Sequence, residues 1–375
     1  MKKEDEGVNR LQRMKVGAVA AVVAGSLAIG ASAATNDYGA MLKQARTAFP
    51  ATYAGPTMPA KAPKGVKIAF ITCLSALHGC VSPSIGGTHA AKAIGWKAVT
   101  YDGGGSAQKQ NAQMLNAISA GAKVIVNLAI DPNLVQQGLR AAKKAGVLVV
   151  SGSSGLSSPN PTYKPGRGKL GYAFDIAPDY FKLGYKTAQW IIADSKGKAN
   201  ILVMSDKEFP SVLALQRGLL AGLKTCRDCK ISPLQYFTGN QVGNPLIQQT
   251  LGYLRSHPDV DYVFSPYDPA AAVQAPALAQ NGFNKVKLIS VLGDQQNLDF
   301  IKKGMVQVAD AAYDNEYMGW AIIDQTIRLL THKTLTKPIG ENLPFVVLDK
   351  TNLPSGGKDW VAKFDYKSRF LKLWK

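Results

Sequence analysis

From residue 66 to residue 150 the chain alternates short runs of β-branched and aliphatic residues with longer segments whose apolar positions recur every three or four residues. Val66-Lys-Ile-Ala-Phe-Ile-Thr72 reads as a strand, as do 96–101, 123–128 and 147–150. Between them, 86–95, 111–121 and 133–146 carry the spacing of amphipathic helices. Strands alternating with helix-length segments make βαβ units, and so a parallel sheet with helices on its faces. Such sheets take ligands in the loops at the carboxyl ends of their strands. In this block those loops are 73–86, 102–105, 129–133 and 151–158.

A stretch rich in Gly, Ser and Pro, 151–171, reads as a long loop. A second block follows, with helices predicted at 180–194, 211–224, 245–257 and 297–303 and strands at 199–204, 233–238, 262–265, 287–292 and 306–312. Asp179 is placed to cap the first of these helices. Asp268-Pro269 is a helix start with Asp as cap, and Gly304 a helix stop. A helix at 317–330 and a strand at 344–348 complete the pattern. Each block has strands enough for its own sheet, and the last helix returns toward the first. Two lobes joined by several crossings form a hinge with a cleft between them. Residues 34–64, rich in Ala, Pro and Thr, read as an extended arm. The tail carries Trp360, Phe364, Tyr366, Phe370 and Trp374, which predicts that it docks on the body.

The first 33 residues change the picture of where this protein works. Arg10, Arg13 and Lys15 precede a small, apolar run from Val16 to Gly30, and Ala31-Ser32-Ala33 fits a cleavage site. This is the pattern of a secretory signal peptide at 1–33, and no later segment is apolar and long enough to span a bilayer. Those residues hold five Lys/Arg and three Asp/Glu, so the mature chain keeps 39 basic and 22 acidic residues and a formal charge of +17. A basic surface, an anionic surface partner and an anionic ligand all fit that charge. No dense basic run with interleaved aromatics points to nucleic acid. The four cysteines form two close pairs, Cys73/Cys80 and Cys226/Cys229, read as disulfides of an exported chain. Cys226-Arg-Asp-Cys229 also has redox spacing, but it follows a helix instead of opening one. The pairs lie too far apart for a zinc ribbon, so neither a metal nor a cofactor is expected.

Several spaced features add up to a family likeness over 64–333. They are Gly95-Trp96 with Asp102 and Gln110, Ala141-Ala-Lys-Lys-Ala-Gly-Val-Leu-Val-Val150, Asp179 with Gly184, and Arg217-Gly218. His257-Pro-Asp-Val-Asp261, Val263-Phe-Ser-Pro-Tyr-Asp268, Gly293-Asp294 and Ile301-Lys-Lys-Gly304 with Met318-Gly319 complete the set. In this order the chain resembles the type I periplasmic solute-binding proteins of the ribose- and galactose-binding branch, which deliver ligand to an ABC importer. The resemblance implies an α/β fold of two doubly wound parallel-sheet lobes with a three-crossing hinge near Ala177, Tyr313 and Leu343. It puts 65–177 plus 314–342 in the first lobe and 178–313 plus 343–375 in the second. It implies a periplasmic monomer whose partners are a small-molecule ligand and an importer permease.

The resemblance also implies a ligand set. Arg217 falls on a ligand-gripping arginine, Tyr267 on a ligand-binding asparagine, Asp294 on an aspartate that accepts sugar hydroxyls, and Tyr313 on a hinge-side polar ligand. Leu77 and His78 lie in the loop after the first strand, which usually supplies asparagine and stacking aromatics. Ser153 and Ser154 stand where the family often carries an Asp-Arg pair. Neutral and aromatic side chains thus replace charged grips, and a less hydroxylated or aromatic ligand becomes credible. Each residue keeps an ordinary alternative: Arg217 as a surface arginine, Tyr267 and Tyr313 as core aromatics, His78 as loop surface. Asp268 reads as a cap, and Gly103-Gly-Gly105 as a plain turn.

Enzyme readings find no constellation among the four histidines, 78, 89, 257 and 332, and Gly152-Ser-Ser-Gly155 opens no helix of nucleophile-elbow type. A repressor of the same fold needs a helix-turn-helix where this chain has its signal. A sensory module, whose closed form engages a chemoreceptor or kinase, is the competing reading. Intact mass and amino-terminal sequencing of the exported protein are expected to find Ala34 as the first residue. Retention of residues 1–33 overturns the cleavage site.

Overall fold

The computed structural model describes residues 37–155 and 168–375. The expected signal at 1–33 and the middle of the predicted loop, 156–167, lie outside them. Helix α1 (Tyr38–Arg46) precedes the first βα block. That block runs β1 (Lys67–Thr72), α2 (His78–Ala93), β2 (Lys97–Asp102), α3 (Ala107–Ser119), β3 (Val124–Leu128), α4 (Gln136–Lys144), β4 (Leu148–Gly152) and β5 (Asp175–Ile176). The second block opens with α5 (Tyr180–Asp194), β6 (Asn200–Asp206), α6 (Pro210–Leu223), β7 (Lys230–Ile231) and β8 (Gln235–Phe237). It continues through α7 (Asn244–Ser256), β9 (Tyr262–Phe264), α8 (Asp268–Gln280), β10 (Lys287–Leu292), α9 (Gln295–Lys303) and β11 (Gln307–Tyr313). Last come α10 (Asn315–Leu330), β12 (Phe345–Asp349) and α11 (Tyr366–Leu373).

The strands sort into two sheets. The first is parallel, in the order β2-β1-β3-β4-β5. The second runs β12-β11-β10-β9-β6-β7, with β8 also beside β6, and is parallel except for β12. The central strands β1, β3, β6 and β10 are buried almost along their whole length, as helices on both faces require. The chain passes from the first sheet to the second between β5 and α5, returns after Tyr313 and crosses again before Phe345. These are the three places expected of the hinge.

Two helix pairs approach more closely than side chains permit. A Cβ on Gly218 of α6 would strike the Phe181 carbonyl of α5, and one on Gly319 of α10 would strike the Gly87 backbone of α2. Glycine at these positions lets α6 lie on α5 and α10 lie on α2, which seats each lobe's helices against its sheet.

The structure departs from the sequence pattern in three places. The arm is not wholly extended, because Asp37 caps α1 by accepting the Ala40 N–H at 2.9 Å. Helix α2 starts at His78, eight residues before its amphipathic stretch, and tolerates Pro83 in its second turn. The tail does not stay with the second lobe. After β12 it crosses back and lays α11 on α10, beside the first sheet, with Trp374 stacked on Trp320 at 5.5 Å between ring centroids. The indole N–H of Trp374 donates to Asp324 at 2.7 Å, and Arg328 pairs with the same buried carboxylate. The arm makes a matching crossing. Phe49 exchanges backbone hydrogen bonds with Phe345 of β12 at 2.8 Å, and Ala60 and Ala62 then donate to Leu373 and Trp374. Both termini therefore strap the lobes together outside the hinge, and the tail docks as its aromatics predict.

Phe370 is fully buried among Tyr53, Tyr317, Trp320 and Trp374. Phe370→Ala is expected to cost about 3–5 kcal/mol of stability in urea unfolding. A loss below about 1 kcal/mol would show that the tail is not part of the folded body.

Candidate ligand-binding cleft

The carboxyl ends of the two sheets face each other. On the first side β1 runs into Cys73, and a disulfide to Cys80 closes the loop that carries Leu77 and His78. On the other side, β6, β9 and β10 end in the loops that carry Phe209, Tyr267 and Asp294. The second disulfide, Cys226–Cys229, forms as the spacing predicts and lies after α6. The lobes meet: Gly79 packs against Leu292, and Gly155 against the backbone of Pro210 and Ser211.

Between them lies a cavity of about 60 Å³. Leu77, Cys80 and Ser153 line it from the first lobe, Phe209, Leu215 and Tyr267 from the second, and Tyr180 and Tyr313 at the hinge. Among the described residues, no Asp, Glu, Lys, Arg or His lines it. The Ser153, Tyr180, Tyr313 and Tyr267 hydroxyls already have partners, whereas the Ser211 hydroxyl has none among the described residues. Ser153 holds φ at 62°, in the left-handed region, which sets its Oγ 2.5 Å from the Tyr180 hydroxyl. Tyr180 in turn donates to the Tyr313 hydroxyl at 3.5 Å. Tyr267 donates to Asp206 at 3.0 Å, and Phe209 and Phe237 pack edge-on against its ring. Burial pushes Asp206 up to about 6.

A wider groove of about 860 Å³ opens at the mouth of the cleft. Leu77 lines both spaces, whereas His78 and Asp294 line only the groove. Behind the groove is a buried network of carboxyl groups. Asp268 begins α8 but does not cap it. Its Oδ2 accepts the backbone N–H of Asp294 at 2.7 Å, and its Oδ1 accepts the Ser290 hydroxyl at 2.5 Å. Ser290 also lies 3.2 Å from Asp310 and accepts from Gln307 at 2.6 Å. Burial, with the Asp310 carboxyl alongside, holds Asp268 well above the carboxylate range, and burial pushes Asp310 up to about 7 against the lowering effect of its hydrogen bond with Asp268.

The profile of the periplasmic binding protein domain family matches residues 84–334. The chain belongs to that family. Members of this periplasmic binding protein family bind solutes and do not transform them. No curated protein matches the chain. Solved structures share the fold. One is an ABC transporter solute-binding protein from Agrobacterium vitis with bound allitol, 20% identical, with a TM-score of 0.66, covering 77% of this chain and 97% of its own. Another, from Mycobacterium smegmatis with bound glycerol, is 20% identical with a TM-score of 0.67, covering 79% and 100%. The Caulobacter myo-inositol binding protein with myo-inositol is 20% identical with a TM-score of 0.64, covering 78% and 96%.

Against this periplasmic binding protein fold the expected ligand set divides. Leu77, Ser153, Tyr267 and Tyr313 converge on the cavity. Ser154 does not line it; its hydroxyl donates to the Ile130 carbonyl at 3.2 Å and its N–H to Asp175 at 3.1 Å. Arg217 does not line it either. Ser211, Val212 and Leu215 present one face of α6 to the cavity, and residue 217 lies about 200° around the helix from residue 215. Phe209, Leu215 and Tyr180 are cavity residues that the sequence reading missed. Reading the loop after the 199–204 strand by the same carboxyl-end rule as the first block points to Phe209.

A carboxyl whose folded pKa is raised makes the fold less stable as pH rises from its unfolded value near 3.8 to its folded value, here about 7. Asp310→Asn keeps the shape of the protonated acid and is expected to flatten that part of the stability profile. Unfolding midpoints at pH 5 and pH 8 are expected to differ less in the variant than in the parent. An unchanged difference would show that Asp310 is ionised in the fold at pH 5.

Proposed function

We propose that this chain is an exported receptor that captures a small, neutral, sparingly hydroxylated molecule between its lobes and presents the closed form to an ABC importer. The observation that carries the reading is the cavity wall, which among the described residues is mostly apolar, partly aromatic and free of charged side chains. A carboxylate or phosphate buried there meets no cation among the described residues, and leaving such a charge unpaired is prohibitive. The formal charge of +17 on the mature chain therefore belongs to the surface. A hydroxyl-rich sugar fares little better, because the Ser153, Tyr180 and Tyr267 hydroxyls already answer one another or Asp206, which leaves Ser211 to answer it. Each ligand hydroxyl left without a partner costs about 1–3 kcal/mol.

The space supports the same reading. About 60 Å³ holds roughly four to six water-sized groups, the scale of a glycerol more than of a hexose. The similar structures carry glycerol, allitol and myo-inositol, and others carry the hexoses tagatose and allose, all of them neutral. The ligand here is placed at the apolar end of that range, as a short diol, a deoxygenated alcohol or a small aromatic alcohol. Capture works by population shift: the ligand touches both lobes only when they are closed, so it favours that form by its differential affinity. The disulfide between Cys73 and Cys80 keeps the Leu77 loop in place for that contact. The signal sequence and the family together support a periplasmic location.

The test is a thermal-shift panel of short diols, aromatic alcohols, hexoses, polyols, carboxylates and phosphates. A ligand at 100 times its dissociation constant is expected to add about 2.7 kcal/mol, a rise of several degrees. Phe209→Asp places a charge in the half-buried wall and is expected to abolish the rise without changing the fold seen by circular dichroism. A panel answered only by anions, or an unchanged rise in the variant, overturns the proposal.

A further inference from the structure

At the mouth of the cleft, outside the solute cavity, three side chains from distant parts of the chain meet. His78 is the first residue of α2, Asp294 follows β10, and Asp359 lies in the tail. One ligating atom from each lies within 4.8 Å of the others. We propose that His78, Asp294 and Asp359 form a site for a divalent transition-metal ion, with zinc the expected occupant, that ties the two lobes together.

The alignment of the atoms carries the inference. Nδ1 of His78 stands 2.8 Å from Oδ1 of Asp294, close enough for an ion pair. Yet that oxygen is fully buried and accepts no aligned hydrogen bond. A ring N–H that bonded the carboxylate would point along the line between the two atoms. Two ligands each about 2.1 Å from a shared ion instead point off that line, by about 48° at this separation. Asp294 is 8% exposed, so this oxygen is a buried acceptor aimed into the cluster, where among the described residues the His78 ring nitrogen is its one close neighbour.

The surroundings hold the three groups in place. The disulfide from Cys73 to Cys80 brackets His78. The Asp294 backbone N–H is held by Asp268. Trp360 donates its N–H to the Gly293 carbonyl at 2.8 Å, which pins the tail beside Asp294. Asp359 uses Oδ1 to accept the Gln295 N–H at 2.9 Å, while its Oδ2 faces Nε2 of His78 at 3.6 Å. Partners of this kind orient metal ligands. Among the described residues, one imidazole is the only basic group paired with either carboxylate. A divalent cation would complete the charge that one histidine leaves uneven.

The donor set selects the class of ion. An imidazole nitrogen with two carboxylates suits zinc and its neighbours, whereas calcium and magnesium take oxygen alone. Three protein ligands leave a position for water, and the groove of about 860 Å³ supplies it. His78 belongs to the first lobe, and the other two ligands to the second. The site is therefore complete only in the closed form, and by linkage zinc and solute favour each other's binding.

The test is calorimetric titration of the chelator-treated full chain with zinc, with calcium as the control. One zinc per chain is expected, with calcium at least about tenfold weaker. His78→Ala and Asp359→Asn are each expected to weaken zinc at least about tenfold, the scale lost when only an outer partner of a metal ligand is removed. Asp359 is exposed, so its variant reports on the site without unsettling the fold. Cobalt in place of zinc is expected to give visible absorption bands that His78→Ala removes. Absence of stoichiometric zinc binding, or equal binding in parent and variants, leaves an ordinary interlobe ion pair and overturns the proposal.

Discussion

The bare carboxyl ends of two parallel sheets are the constraint on which the structure turns. Helices cover both faces of each sheet, but the ends where strands give way to loops have no layer of their own. Here each end covers the other. Leu77 and Gly79 come from one side, Leu215 and Leu292 from the other, and the Ser153, Tyr180 and Tyr313 hydroxyls join at the hinge. Closure excludes water, so every polar group near the seam must find a protein partner or lose its charge. That is why Asp268 and Asp310 are held toward the protonated form beneath the groove while the described residues of the cavity wall carry no charge.

Most of the architecture is legible from hydrophobic periodicity, because buried parallel strands are nearly continuous apolar runs and their helices are amphipathic. The elements that escape have physical reasons. β5 and β7 are two residues long and leave no pattern. The start of α2 hides behind Pro83, which reads as a break although the helix continues through it. α1 hides in an arm of Ala, Pro and Thr, although Asp37 before it is a cap signal. The return of the tail to α10 is a tertiary choice made by Trp320 and Trp374, some fifty residues apart in the chain.

The cleft is legible in part. Leu77, Ser153, Tyr267 and Tyr313 were within reach because strand ends and family likeness both point to them. Arg217 does not line the cavity, because likeness places a residue in the chain without saying which face of the helix it occupies. Gly218 turns that part of α6 toward α5, while Leu215 faces the cavity. The meeting of His78, Asp294 and Asp359 had no local trace, since it depends on both lobe closure and the path of the tail.

The two terminal straps have a further consequence for what the free receptor is like. A hinge of three strands permits wide excursions, and most of the resulting conformations hold half a site. The Phe49–Phe345 pairing and the docking of α11 add two tethers at the rim. Each tether removes open arrangements from the unliganded ensemble. Apparent affinity falls in proportion to the fraction of molecules already competent to bind. A receptor therefore binds more tightly the larger that fraction is. In this fold the chain's own ends preorganise the cleft before any ligand arrives.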